Sequence, residues 1–121
     1  MNRKIKTTNI IVDSGVEDYL DKRLEAVEKL IDVNDPTLLV EIELAKTTKH
    51  HQTGDIFRAE INLTINGNQF RAEAEEIDLN KAIDMMKDEL LNELRSYKGK
   101  RHSIVKRSGA KIKALLKRFY K

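Results

Sequence analysis

Apolar residues recur along this chain at two different spacings, and the switches between them divide it into elements. Near the N-terminus Ile5 stands between Lys4 and Lys6 in "RKIKTTNIIV", an alternation that predicts a short extended edge strand. From Val16 the spacing lengthens. Val16, Leu20, Leu24, Val27 and Ile31 fall three or four residues apart, which on a helix makes one apolar stripe and leaves Lys22, Glu25 and Lys29 directed elsewhere. Ser14 followed by Glu17 is a capping-box pattern for the start of that helix. Asn34, Asp35 and Pro36 mark its end, since proline cannot donate into a helix and restricts the residue before it. Alternation then returns three times. Leu38, Val40, Ile42 and Leu44 oppose Glu41 and Glu43; Phe57, Ala59, Ile61, Leu63 and Ile65 oppose Arg58, Glu60, Asn62 and Thr64; Phe70, Ala72 and Ala74 share a face of the next segment. Asn66-Gly67 between the last two tolerates the positive φ that a tight hairpin demands. With one face apolar and the other charged, the sheet is expected to be covered on one side only.

Asp78 is a suitable N-cap for a second helix, whose buried stripe is Leu79, Ile83, Met86, Leu90, Leu94 and Tyr97. Lys87, Leu91, Arg95, Lys98 and His102 fall about 110° round from it and predict a cationic ridge on the exposed flank. Gly99 marks an end or a kink, and "KRHSIVKRSG" reads as a basic linker. Finally Ile112, Leu115, Leu116 and Phe119 recur at helical spacing among Lys and Arg, the pattern of a short cationic amphipathic helix. The fold class is therefore α+β, in the order β-α-β-β-β-α: a four-stranded sheet with two helices packed on one face, plus a basic C-terminal tail with a short amphipathic helix. Residues 1–99 form the domain and 100–121 the extension.

Charge changes the picture at the end of the chain. The 23 basic and 20 acidic side chains give a formal net charge of only +3, yet no acid follows Glu93. Residues 1–94 hold 12 bases against 20 acids, net −8, and residues 95–121 hold 11 bases and no acid, net +11. Clustered charge of this kind fits a polyanionic partner, because Coulomb attraction and counterion release follow local density and not the total. The absence of cysteine removes disulfides and thiolate metal sites and fits a reducing cytosol. No apolar run approaches a membrane span, and "MNRKIKTTN" lacks the apolar core of a signal peptide, so a cytoplasmic location is expected.

"RAEAEEIDLNKAID" is similar to the small-residue strand and aspartate-opened helix of the ribosome hibernation and ribosome-associated translation inhibitor family, also called ribosomal subunit interface or sigma-factor modulation proteins. Asp78, Ala82, Ile83 and Asp84 carry that likeness, "LDKRLEAVEKL" resembles the family's first helix, and "LRSYKGK" its basic exit from the second. The resemblance is to the short members and spans residues 1 to about 100. The sequence departs from the pattern at Asn80, where an aromatic is usual, and at Glu89 and Asn92, where the helix is commonly basic. The resemblance implies a protein that binds the small ribosomal subunit in the decoding region, where messenger and transfer RNA would sit. By occupancy, without catalysis, it would inhibit translation and protect idle ribosomes during starvation and stationary phase in bacteria. Longer members add a ribosome-pairing domain; none is expected after residue 121.

The residues expected to contact RNA are Lys22, Arg23 and Lys29 on the first helix and Lys87, Arg95, Lys98, Lys100 and Arg101 on and after the second. Lys106, Arg107, Lys111, Lys113, Lys117 and Arg118 join them in the tail. Cations a turn apart suit phosphates of folded RNA, whose shape is read more readily than its base edges. Glu41, Glu43, Glu60 and Glu73 are expected on the open sheet face, giving a cationic helix side and an anionic sheet side. No cofactor and no small-molecule substrate is expected. His50-His51, with only His102 elsewhere, lack metal-ligand spacing, and Glu75-Glu76 point to opposite faces of a strand, so no metal site and no enzyme is read. Two other functions fit parts of the pattern. A general double-stranded-RNA-binding domain shares the order helix, three strands, helix. A membrane or protein docking module would use the stripe in "KIKALLKRFYK".

Overall fold

The computed structural model describes residues 3–47 and 54–108, with side chains as far as Lys98. The described elements are β1 (Lys4–Thr8), α1 (Ser14–Glu28), β2 (Leu39–Thr47), β3 (Ile56–Ile65), β4 (Asn68–Glu76) and α2 (Leu79–Ser108). The expected α+β order holds. The four strands form one mixed sheet in the order β1-β2-β3-β4. β1 pairs parallel with β2, while β2, β3 and β4 are antiparallel, with Ile42 opposite Ile61 and Ile61 opposite Ala72. Asn66 and Gly67 turn the β3-β4 hairpin at φ 51° and 78°, the positive values a two-residue turn between right-twisted strands requires.

Alternation along the strands sends Val40, Ile42, Leu44, Ala59, Ile61, Leu63, Ile65, Phe70 and Ala72 to one side, where they are buried against the helices. Leu20, Leu24 and Val27 of α1 and Ile83, Met86, Leu90 and Leu94 of α2 enter the same core. α2 lies over β3 and β4, and α1 packs against α2.

Three local readings change. The α1 N-cap is Asp13, not Ser14: Asp13 is extended, at φ −89° and ψ 178°, and its carboxylate accepts the Val16 amide at 3.0 Å. With Asp13 outside the helix, Ser14 becomes its first residue and no capping box forms. Asp13→Ala should therefore cost about 1 kcal/mol in denaturant melts, the usual loss of a cap, whereas Ser14→Ala should leave the midpoint nearly unmoved. α1 also closes before Asn34-Asp35-Pro36. Lys29 is its C-cap, and the Asp32 and Asp35 carboxylates accept the Asn34 and Thr37 amides at 3.0 and 2.8 Å. Such short side-chain bonds to the backbone hold the turns after α1 in a non-helical path, so the chain has left the helix well before proline is reached. Ile31 stays buried through the turn that follows.

The third change concerns α2, which does not stop at Gly99 but runs 30 residues to Ser108. One glycine costs a helix about 1 kcal/mol and removes no hydrogen bond. Residues 100–108 therefore continue the helix instead of forming a linker. The predicted amphipathic helix around Ile112, Leu115, Leu116 and Phe119 lies outside the described residues, as do His50 and His51.

Candidate nucleic-acid interface

α2 fixes the position of the basic run. Tyr97 meets Phe70, the third residue of β4, edge to face with ring centroids 5.3 Å apart. Only two strand residues precede Phe70, so beyond Tyr97 the helix continues toward the start of that strand. Gly99–Ser108 adds ten residues, about 15 Å of helix at 1.5 Å per residue, and contains Lys100, Arg101, Lys106 and Arg107. The cationic run is thus carried on a rod continuous with the core helix.

Nearer the core, the predicted cations divide. Lys22 and Lys29 are exposed on and just after α1, and Arg95 is exposed on α2. Arg23 is already engaged. Its Nε lies 2.9 Å from Asp84 Oδ1, its Nη2 donates to the Tyr19 hydroxyl at 3.1 Å, and its guanidinium carbon sits 4.6 Å from the Tyr19 ring centroid. Tyr19 in turn donates to Asp84 Oδ2 at 2.7 Å. This cluster ties α1 to α2, and the Tyr19 hydroxyl together with the Asp84 charge raises the Arg23 pKa. Asp84, part of the Ala-Ile-Asp run, is here the anchor between helices.

The expected ridge on α2 is interrupted. Leu91 is buried in the core, and Lys87 has a side chain only 17% exposed, paired with Asp88 at 2.6 Å. Lys98 is half-buried, and burial lowers its pKa. The arc about 110° round from the buried stripe is where α1 packs, so much of it is a seam between helices. A single helix read by its own period cannot show which flank its neighbour will take. Lys111, Lys113, Lys117 and Arg118 lie outside the described residues.

Nor is the molecule polarised across its two sides as expected. Glu41, Glu43, Glu60 and Glu73 do share the open face, but cations are interleaved with them. Arg58 bridges Glu43 at 3.2 Å, Glu60 at 3.2 Å and Glu73 at 2.7 Å; Arg71 also pairs with Glu60 and Glu73, and Lys6 lies 4.0 Å from Glu43. The Arg58 pKa is raised, first by its hydrogen bond to Glu73. α1, on the other side, carries five acids against two cations. The division of charge runs along the chain: acids and their partners over the body, then a stretch of sequence with no acid after Glu93.

Sequence reading missed Tyr19, the Arg58 network, and a cleft of about 410 Å³ between α2 and the β4 edge, lined by Gln69, Phe70, Asn92, Glu93, Ser96 and Tyr97. Its polar residues carry no spacing signal, because two elements contribute them. Among the described residues no helix is long and apolar enough to cross a membrane.

Comparison with known proteins agrees with this architecture. The Ribosome hibernation promotion factor of Picosynechococcus sp. is 28% identical over 100 residues, covering 83% of this chain and 50% of that protein. The chain thus spans about half the length of that curated relative. The crystal structure of the N-terminal domain of Thermus thermophilus Protein Y superposes with a TM-score of 0.65 at 26% identity, over 80% of this chain and 99% of that one. A ribosomal subunit interface protein from Coxiella burnetii shares the fold, with a TM-score of 0.60 at 19% identity over 79% and 98% of the two chains. Residues 4–102 match the family described as Sigma 54 modulation protein / S30EA ribosomal protein, and the chain belongs to that family.

Proposed function

We propose that this protein is a ribosome hibernation factor that binds the small ribosomal subunit in the decoding region. There it blocks the messenger and transfer RNA sites, inhibits translation and protects idle ribosomes. The observation that carries the reading is the uninterrupted α2, which extends the body directly into a stretch with no acid after Glu93. Family membership and the names of its relatives supply the ribosome as partner. The physics supplies the mode. A rigid cationic rod follows phosphates without reading sequence, and the net −8 body adds attraction for phosphates only through its few exposed cations. The role is occupancy, with ribosomal RNA as the surface bound, in the cytoplasm, and no chemistry is required of it.

Sedimentation with ribosomes and separated subunits, in excess unrelated double-stranded RNA at near-physiological salt, tests this. Stoichiometric travel with the small subunit, displaced by transfer RNA, is the expected result. Loss to the competitor would instead make the chain a general double-stranded-RNA binder. Absence from both would return attention to membranes and protein partners of the C-terminal segment.

A further inference from the structure

We infer that the cleft between α2 and the edge of β4 is a pocket for one unstacked nucleobase, with guanine preferred. The inference rests on the reading that the partner is RNA and adds a base-selective contact to it.

The cleft has the size and the chemistry of a base site. At about 410 Å³ it is larger than a single purine needs, and its walls mix aromatic surface with neutral polar groups. Tyr97 is held edge to face by Phe70, which is 7% exposed, so the tyrosine is a braced ring and not a mobile one. Bases taken out of a helix are commonly held by stacking on such rings while polar groups read their Watson–Crick edges. Gln69 and Asn92 are exposed at the cleft, and each carboxamide offers both donors and an acceptor. Ser96 adds a hydroxyl on the same helix.

Glu93 supplies the preference. Its Oε2 accepts the Arg71 amide of β4 at 3.1 Å, which fixes the carboxylate at the strand edge and leaves Oε1 for a ligand. A fixed carboxylate wants donors, and guanine presents two adjacent ones, N1–H and the N2 amino group, beside an O6 that a carboxamide can donate to. Adenine offers only its amino group on that edge. The same Glu93 contact argues against the other natural occupant of a free strand edge, an added peptide strand. That strand would need the Arg71 amide, and the amide is taken.

Position supports an RNA ligand. Asn92, Glu93, Ser96 and Tyr97 lie directly before and within the start of the acid-free stretch that opens at Arg95. A strand held by phosphate along that stretch passes the mouth of the cleft within a turn of helix.

The test uses the full chain with labelled RNA hairpins that differ only in one bulged nucleotide: guanine, adenine, uracil, or none. The bulged-guanine hairpin should bind about tenfold more tightly than the fully paired one, the size of one stacked and hydrogen-bonded base. Glu93→Gln should abolish the advantage of guanine over adenine, and Tyr97→Leu the advantage of any bulge. Should Glu93→Gln lower the melting temperature, Asn92→Ala provides a second reading of the same edge. Equal affinity for bulged and paired hairpins would overturn the inference, as would a guanine preference indifferent to Glu93 and Asn92. Preferential capture of a β-strand peptide that displaces the bulged hairpin would also overturn it. Sedimentation with ribosomes reports on the proposed function separately: ribosome binding without bulge preference sinks this inference alone, and bulge preference without ribosome binding sinks the other alone.

Discussion

Exchanging Arg95, Lys100, Arg101, Lys106 and Arg107 for glutamine will take about 3.5 to 4.5 units off the slope of log affinity against log salt for ribosome binding, at roughly 0.7 to 0.9 for each phosphate no longer neutralised. Affinity itself should fall by orders of magnitude at low salt. Everything up to residue 94 sums to −8, so the attractive field comes from residues 95–121, and these five side chains supply five of its 11 cations. Placement comes next. Four of the five lie on the continuation of α2 beyond Tyr97, and Arg95 is exposed, so the substitutions are expected to leave the fold unchanged. Glutamine is nearly as good a helix former as lysine or arginine, so the rod itself should persist. Lys98 is left in place because it is half-buried, and its loss would mix packing with charge. Circular dichroism and a thermal melt should match the parent, and an unchanged salt slope would remove the rod from the binding mechanism.

That separation between body and rod was only partly legible in the sequence. Strand alternation and the Asn66-Gly67 turn placed the sheet and its buried face correctly, because a period of two fixes side-chain direction once one face is apolar. Gly99 misled, since glycine looks the same to a reader whether it ends a helix or is merely tolerated within one. The site was harder. Arg23 and Lys87 counted as available cations by composition, yet one is spent on Asp84 and Tyr19 and the other on Asp88. Leu91 stood within a stripe that looked exposed until α1 covered that flank. Pairings between elements distant in sequence decided each of these, and periodicity along one element carries no information about them. The same holds for the β4–α2 cleft, where no two of the strand's lining residues predict which turn of helix will face them.

The open face poses the second large effect, since register sets Glu43 opposite Glu60 and Glu60 opposite Glu73, a row of three glutamates across three strands. Like charges directly opposite one another destabilise a sheet unless something lies between them. Arg58 does so, reaching all three, and with a side chain 22% exposed it is much better shielded from water than Arg71 at 61%. Arg58→Met keeps the aliphatic length and removes the charge. It should cost about 2 kcal/mol at neutral pH, which lowers the melting temperature by on the order of 10 °C for a domain of this size. pH supplies the discriminating measurement. In the parent, Glu73 is held below the ordinary carboxylate value of 4.5 chiefly by its bond from Arg58, and Glu43 chiefly by the Thr8 hydroxyl, with Arg58 assisting. A depressed folded pKa contributes stability that is complete above the ordinary value and is lost as pH falls through the lowered one. The parent should therefore weaken on acidification. In Arg58→Met the row repels itself when ionised, so acid relieves it, and the deficit against the parent should shrink as pH falls from neutral through the ordinary carboxylate value of 4.5 and below it. Melts across that range decide the matter. A deficit that stays constant would mean that Arg58 acts through packing of its aliphatic stem, with its charge irrelevant to the sheet.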